Sequence, residues 1–579
     1  MAGLFLVQSR DRAFANGAIA AAKAQYKLHG FAKGTELKVP GWRLLHFPYI
    51  SGGPETLLVD GEDFVAVAGT LTCDGKMGMP ALQALLAMDV PDWTRLGGQF
   101  VALVHRGGRS LLFTDYFAAF QLFHDAGMRI FSTSLLAAAG ALPRLSFYPQ
   151  GVYEFAFNVV PIGNDTIFAE LKTLGSDRVL ALSEDGIRAT VAARPLPEAE
   201  RMPLDARIAA HREKLMSVVS DHVNQFGDNV RCALSGGLDS RLALAALRAA
   251  GCRPHLFVYG GEGSKDVRIA RDIAKAEGLE IEWIDKEAWR EVTPDAFPEQ
   301  VERNFQLYDG LPNYGELFEN GANAAARAGR HAGGALSVSG GCGEIFRNFF
   351  FLPNRSFSAA AVARTFFARF AREDATEAFD ERVFLRGLED KILATLGRRG
   401  DRGTLPRPLV EQIYPRVRCR AIFGREISLE AWYGAYLMPF LDHRLVAEAM
   451  RLPLGLKNAG RFEAKLLTVI DPALARHRSA YGHHFARRPG LRHRFDEWST
   501  RIRPVALRQR SYALRRRMGP VADEHGGLLT ADYMARVVDL DFPIMRRFFQ
   551  VDRIADSGMM RRIANLEYFA ARLGSRLAP

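Results

Sequence analysis

Cysteine is scarce in this chain of 579 residues: there are five, an odd number, and none is spaced as C-x-x-C. A disulfide framework and a zinc ribbon are therefore excluded as organising devices, and a reducing, cytoplasmic location is expected. Long apolar runs are missing too. No stretch approaches the ~20 residues of a membrane span, and the opening MAGLFLVQSRDR lacks a basic n-region. Neither a membrane anchor nor a signal peptide is expected. Acidic residues are in deficit, 65 against 76 Lys and Arg, for a net charge of +11. Much of the excess lies in 487–519, RRPGLRHRFDEWSTRIRPVALRQRSYALRRRMG. A polyanion site is one reading of that stretch. The simpler one is a solvated, arginine-rich helical surface that attracts anionic substrates, and nucleic acid is not the expected partner.

What is present is the composition of a globular protein, 48% hydrophobic and 24% charged, in a chain too long for one ordinary core. Residues 1–190 read mostly as short β segments: EDFVAVAGTLT, GQFVALVHRGGRSLLFTDY and MRIFSTS run or alternate apolar between Gly and Asp. A Pro- and charge-rich stretch, 191–205, reads as a linker. Beyond it the period changes. Asn229–Leu234 is a buried strand, Leu238–Ala250 a helix ended by Gly251, and 254–259 a second strand. Ser264 caps a further helix ended by Gly278, and LEIEWI is a third strand. Such alternation implies βαβ units and a parallel sheet. ALSVSGGCGEIFRNFFF, 335–351, repeats the strand, glycine loop and helix design, and from about 357 helical periodicity dominates.

The first glycine loop is Leu234-Ser235-Gly236-Gly237-Leu238-Asp239-Ser240. Unpaired N–H groups at a helix start favour an anion, and the glycines allow it to approach closely. Asp239 suits a phosphate only with Mg²⁺ between them. A Walker loop needs a lysine after its last glycine, and none stands there. The pattern therefore fits a held pyrophosphate with its magnesium, and attack at the α-phosphorus of ATP.

SGGLDS in this setting resembles the pyrophosphate loop of N-type ATP pyrophosphatases. Three other stretches resemble the asparagine synthetase family: SVSGGCGEIF (337–346) its second loop, LMPFLDHRLVAEAMRLPLGLK (437–457) its Val-Pro-Phe-Leu-Asp helix segment, and FTDYFAAFQLFHDAGMRIFSTSLLAAA (113–139) its glutaminase domain. The resemblance is patchy but colinear. It implies an α/β protein: an inactive Ntn-hydrolase-like αββα unit over 1–195, then an adenine-nucleotide α-hydrolase-like synthetase domain over 205–579 with a helical C-terminal region. The glutaminase should be silent. The family's nucleophile follows the initiator Met, where this chain has Ala2, and its oxyanion Asn-Gly pair is matched by Ala68-Gly69.

Among relatives with a dead first domain, YGHHF (481–485), LYDGLPNYGEL (307–317) and the basic C-terminal region resemble the lasso peptide macrolactam synthetases more than the β-lactam and carbapenam synthetases. An ammonia- or amine-dependent ligase is the further alternative. The resemblance implies ATP and Mg²⁺ as cofactors and a precursor (core) peptide as substrate. A leader peptidase and a leader-recognition protein are the implied partners. Asp239 and Glu344 are the candidate metal ligands, and Val258, Tyr259, Asp266, Gly340 and Gly341 belong on the nucleotide side. For the late cation, Lys465 and Arg478 are favoured, with Arg476 and Lys457 as alternatives; for the base, Glu426, Glu430 and Tyr314 are weak candidates. Cys342 reads as a small loop residue. His483, His484 and His493 carry only a faint metal signal, because adjacent histidines rarely face one ion.

Overall fold

Alternation at period two organises the first third of the chain. In the strand Asp63–Cys73, Phe64, Ala66 and Ala68 face one apolar cluster, while Val65, Val67, Leu71 and Cys73 face another. Successive strand side chains point to opposite faces, so this strand is covered on both. The computed structural model describes residues 3–285, 292–312, 317–508, 511, 514 and 527–578. Its N-terminal part holds two six-stranded antiparallel sheets. Gly3–Gln8 lies inside one sheet, pairing with Trp42–Phe47 and Ile130–Ser132. In the other sheet Asp63–Cys73 pairs with Leu96–Arg106, Ala68 opposite Val101. Helix Gly78–Leu86 covers the outer face of the second sheet through Ala81, Leu82 and Leu85. Helix Arg12–Leu28, capped by Asp11, packs on the first.

These helices, and Pro149–Asn158, interrupt the short β segments that residues 1–190 mostly read as. The buried face of Arg12–Leu28 is Ala15, Ala18, Ile19, Ala22 and Tyr26. Its helical spacing is complete, but three of the five are alanines, so the hydrophobic signal is weak.

The expected parallel sheet is present. Its order is Ile281–Ile284, His255–Tyr259, Val230–Ala233, Leu336–Val338 and Tyr436–Leu437. Helix Asp239–Ala249 follows the central strand directly, and Ser264 caps Lys265–Ala276 by accepting from the Val267 N–H. Two details differ from the sequence reading. The stretch after Leu336–Val338 forms only a 3₁₀ turn, Gly343–Phe346, and the aromatic run that follows has low helix propensity. The segment from 437 begins not as helix but as the sheet's last strand, with helix only from His443.

Asp442 caps that helix and takes the Arg444 guanidinium at 2.9 and 3.0 Å. Burial alone would raise its carboxyl; the Arg444 charge and hydrogen bonds outweigh burial and hold it at about 2. A depressed carboxyl stabilises the fold above its ordinary pKa of about 3.9. That stability, about 2–3 kcal/mol, is lost as pH falls toward 2. Unfolding free energies between about pH 5 and about pH 2 should fall more steeply for the wild type than for Asp442→Asn, and equal slopes would refute the assignment.

The stretch read as a linker is held down. The Arg194 guanidinium stacks on Trp93 at 3.8 Å and donates to the Asp115 carbonyl at 3.1 Å, and the Tyr116 hydroxyl donates to the Pro195 carbonyl. A second tie is Asp309, fully buried, which accepts from the N–H groups of Leu135 (2.6 Å) and Leu136 (2.9 Å), from the Ser134 hydroxyl (2.6 Å) and from Arg425 (3.3 Å). Burial opposes its charge; His29 and Arg425 hold the carboxyl below its ordinary range. Asp309→Ala would leave the Arg425 charge and two N–H groups without their carboxylate, at a cost of about 3–5 kcal/mol. Chemical denaturation of the full chain measures it, and a loss under about 1 kcal/mol contradicts it.

Candidate active site

The strands Val230–Ala233 and Leu336–Val338 run side by side in the same direction. Their glycine loops therefore emerge together at the carboxyl edge of the sheet, where open α/β sheets place their ligand crevice. Close approach explains the glycines. A Cβ on Gly340 would lie 2.7 Å from the Ser240 nitrogen, and one on Gly343 would lie 2.4 Å from the Asp239 carboxylate. The second loop is thus laid directly on the start of helix Asp239–Ala249.

Within the first loop the serines and one distant acid serve the backbone. The Ser240 hydroxyl accepts from the Ser235 N–H at 3.0 Å, and the Ser235 hydroxyl from the Gly237 N–H at 3.2 Å. Asp266 accepts from the Gly236 N–H at 2.8 Å. An anionic oxygen on that N–H is the kind of contact a phosphate would make there. Asp266 is therefore brought to the loop.

Asp239 is paired with Arg347, which also donates from Nε to Glu463 at 2.9 Å. Glu463 is fully buried, and its other oxygen, Oε1, accepts no hydrogen bond from the described residues. Burial first, and the Asp239 charge second, push the Glu463 carboxyl well above its ordinary range in spite of Arg347. Glu344 accepts from the Tyr414 hydroxyl at 2.5 Å; Tyr414 opens a π-helical stretch, Tyr414–Phe423, a form often found at functional sites. The sequence reading missed Arg347 and Glu463. Glu463 had a signal, a charge on the same helical face as the buried Phe462, Leu466 and Leu467. Arg347 had none.

A cavity of about 850 Å³ opens beside these groups, with Leu238, Glu344, Arg347, Phe349, Lys457 and Tyr481 in its wall. Val258, Tyr259, Asp266, Gly340 and Gly341 do not line it. Of the first loop, Leu238 alone is in its wall. Lys457 is buried and held by Glu411 at 2.8 Å. Lys465 and Arg476 are exposed on their helices, and Arg478 is exposed in the turn after Arg476; none lines the cavity. What the Arg476–Arg478 segment contributes is backbone, since the carbonyls of His477 and Arg478 accept from the buried Arg241.

Glu430 is enclosed by Arg327, Arg330 and His331, and Glu426 accepts from Tyr436, so neither stands open to the cavity. Tyr314 and Ala2 lie outside the described residues. Cys342 is buried against Met438, and burial raises its thiol. His483 and His493 line the cavity with rings 5.5 Å apart. Among the described residues no group of three or more His, Cys, Asp or Glu is arranged to hold a metal. In the N-terminal part, Ala68 is fully buried between the sheets and offers no side-chain donor, and the Gly69 carbonyl accepts from the Tyr49 hydroxyl at 2.9 Å.

No family model matches the chain, and no curated protein does. Among solved structures, it is similar to glutamine phosphoribosylpyrophosphate amidotransferase from B. subtilis, complexed with ADP and GMP. Identity is 8% and the TM-score 0.22, over 49% of this chain and 66% of that one. A second similar structure is the allosteric regulatory enzyme of purine biosynthesis, 8% identical with a TM-score of 0.24, over 49% of this chain and 74% of that one.

Proposed function

We propose that the protein is an ATP-dependent amide ligase that forms a macrolactam within a lasso peptide precursor. The observation that carries this reading is the meeting of two glycine loops with Asp239 at one sheet edge, beside a cavity large enough for a folded peptide segment. In this reading the N-terminal layers are a glutaminase-like unit without activity, and the parallel sheet is that of an adenine-nucleotide α-hydrolase-like synthetase. The N–H groups that open helix Asp239–Ala249 would hold the pyrophosphate of ATP, because those of Ser235, Gly236 and Gly237 are taken by Ser240, Asp266 and Ser235, and the nucleoside would lie toward Val258 and Tyr259. Asp239 and Glu344, hard oxygen donors, would hold Mg²⁺ together with the nucleotide's phosphates, where it would offset their charge.

A side-chain carboxylate of the core peptide attacks the α-phosphorus and pyrophosphate leaves. The peptide's N-terminal amine then attacks the acyl carbon and AMP leaves, with loss of one proton from the amine. An α-amine of pKa about 8 is partly neutral at cytoplasmic pH, whereas a lysine of about 10.4 is not. Closure is then mainly a matter of holding two ends together, which is worth several kcal/mol. Arg347, paired with Asp239, and Lys457 are two of the cations that line the cavity, and in this reading they take the role expected of Lys465 and Arg478.

Two outcomes test this. With ATP, Mg²⁺ and a leader-free core peptide, the product should weigh one water less than the substrate, with AMP and pyrophosphate as stoichiometric products. ADP as the stoichiometric product would rule out adenylation. Acetylating the core's N-terminus should abolish closure. Efficient capture of free ammonia, or of a small amino acid only, would favour an ammonia-dependent or a β-lactam-type ligase instead. Glutamine should be neither hydrolysed nor needed, and Ala2→Cys should not create a glutaminase, because Ala68 supplies no oxyanion donor. Glutamate release by the wild-type protein contradicts that half of the reading.

A further inference from the structure

Helix Leu491–Ile502 is inverted with respect to an ordinary surface helix. Its inward side is polar: His493, Asp496, Glu497 and Thr500 line the cavity, and Glu497 accepts from the Ala459 N–H at 2.8 Å. Its outward side is apolar. Leu491, Phe495, Trp498 and Ile502 are 81%, 62%, 47% and 57% exposed. A helix normally buries its apolar stripe; here the polar side faces the cavity and the apolar stripe is left outward.

The stripe has the spacing 4-3-4 of alternating d and a heptad positions. That is the narrow seam by which one helix packs along another, not the broad face of a helix lying in a membrane surface. Twelve residues make it about 18 Å long. In the same register Arg494 and Arg501 take the g positions beside the seam, where charge selects the partner. Antiparallel self-pairing would set these arginines against each other, whereas glutamates would complement them.

We propose that the outer face of this helix docks an amphipathic α-helix of another polypeptide whose apolar seam is flanked by acidic residues. The docked helix would sit one helix diameter, about 10 Å, from the cavity. The proposal is independent of the chemistry performed in that cavity.

The test uses the full-length protein and a fluorescein-labelled synthetic peptide of about three heptads, with Leu at a and d and Glu at e and g. Saturable binding by anisotropy is expected. It should weaken at least about tenfold in Phe495→Glu/Trp498→Glu. In Arg494→Glu/Arg501→Glu the preference should invert, toward the same peptide with Lys at e and g. These side chains lie outside the cavity wall, so circular dichroism and thermal unfolding should stay at wild-type values and separate lost binding from lost folding. Equal affinity for the Glu and Lys peptides, or no saturable binding of the Glu peptide, overturns the proposal. So does binding to phosphatidylglycerol vesicles in place of the peptide, or a concentration-dependent dimer, if Phe495→Glu/Trp498→Glu abolishes it.

Discussion

Asp239→Asn should lower Mg²⁺-dependent pyrophosphate release from ATP by at least about a thousandfold, and the folded protein should survive it. The size of the effect follows from where the carboxylate sits. It opens the helix that the first loop feeds, and the second loop lies directly against it. The fold should survive for a separate reason. Asp239 faces Arg347 but also crowds the buried Glu463, whose carboxyl its charge helps to push upward. Removing that charge relieves a like-charge contact and leaves Arg347 to Glu463 alone. Thermal unfolding of Asp239→Asn should therefore match or exceed the wild type. Pyrophosphate release within about tenfold of wild type would mean that the loop's chemistry has been misassigned.

Arg347→Met should be the most damaging single change to stability at the site, about 3–5 kcal/mol. Arg347 is the cation that bridges Asp239 and Glu463, and Glu463 is fully buried. Without it two carboxylates face each other, one of them with an oxygen that already accepts no hydrogen bond from the described residues. Glu463 would then respond by holding a proton more tightly. A carboxyl raised in the folded state destabilises the fold above its unfolded pKa, so the variant should lose stability as pH rises from about 5 to about 8. Adding Glu463→Gln removes the charge and should recover most of the loss. Unfolding free energies of the two single variants and the double variant, measured across that range, decide it. An Arg347→Met loss under about 1 kcal/mol, or a double variant no better than the single, would falsify the bridging role.

Much of the architecture was legible because its causes are local. The strand, glycine loop and helix around Asp239 are specified by an apolar run, by residues that admit close approach and by a helix ended at Gly251, all within about twenty residues. The N-terminal strands announce themselves by alternation. Where the local signal was weak, the reading failed. An alanine-rich helical face was passed over in Arg12–Leu28, and a two-residue strand, Tyr436–Leu437, is too short to show any period.

By itself the sequence determined the parallel-sheet frame, the place of the first loop and the absence of a side-chain donor at Ala68. Only the tertiary structure decided which charges share the site. Arg347 meets Asp239 across 108 residues and Glu463 across 116. Lys465, two positions beyond Glu463 on the same helix, points to solvent. One helical turn spans 3.6 residues, so a shift of two carries a side chain to the opposite face. Nothing in the order of residues distinguishes Arg347 among 76 lysines and arginines. What distinguishes it is that parallel pairing of two strands brings their loops to the same edge, where its cation offsets the charge of Asp239 and faces the buried Glu463.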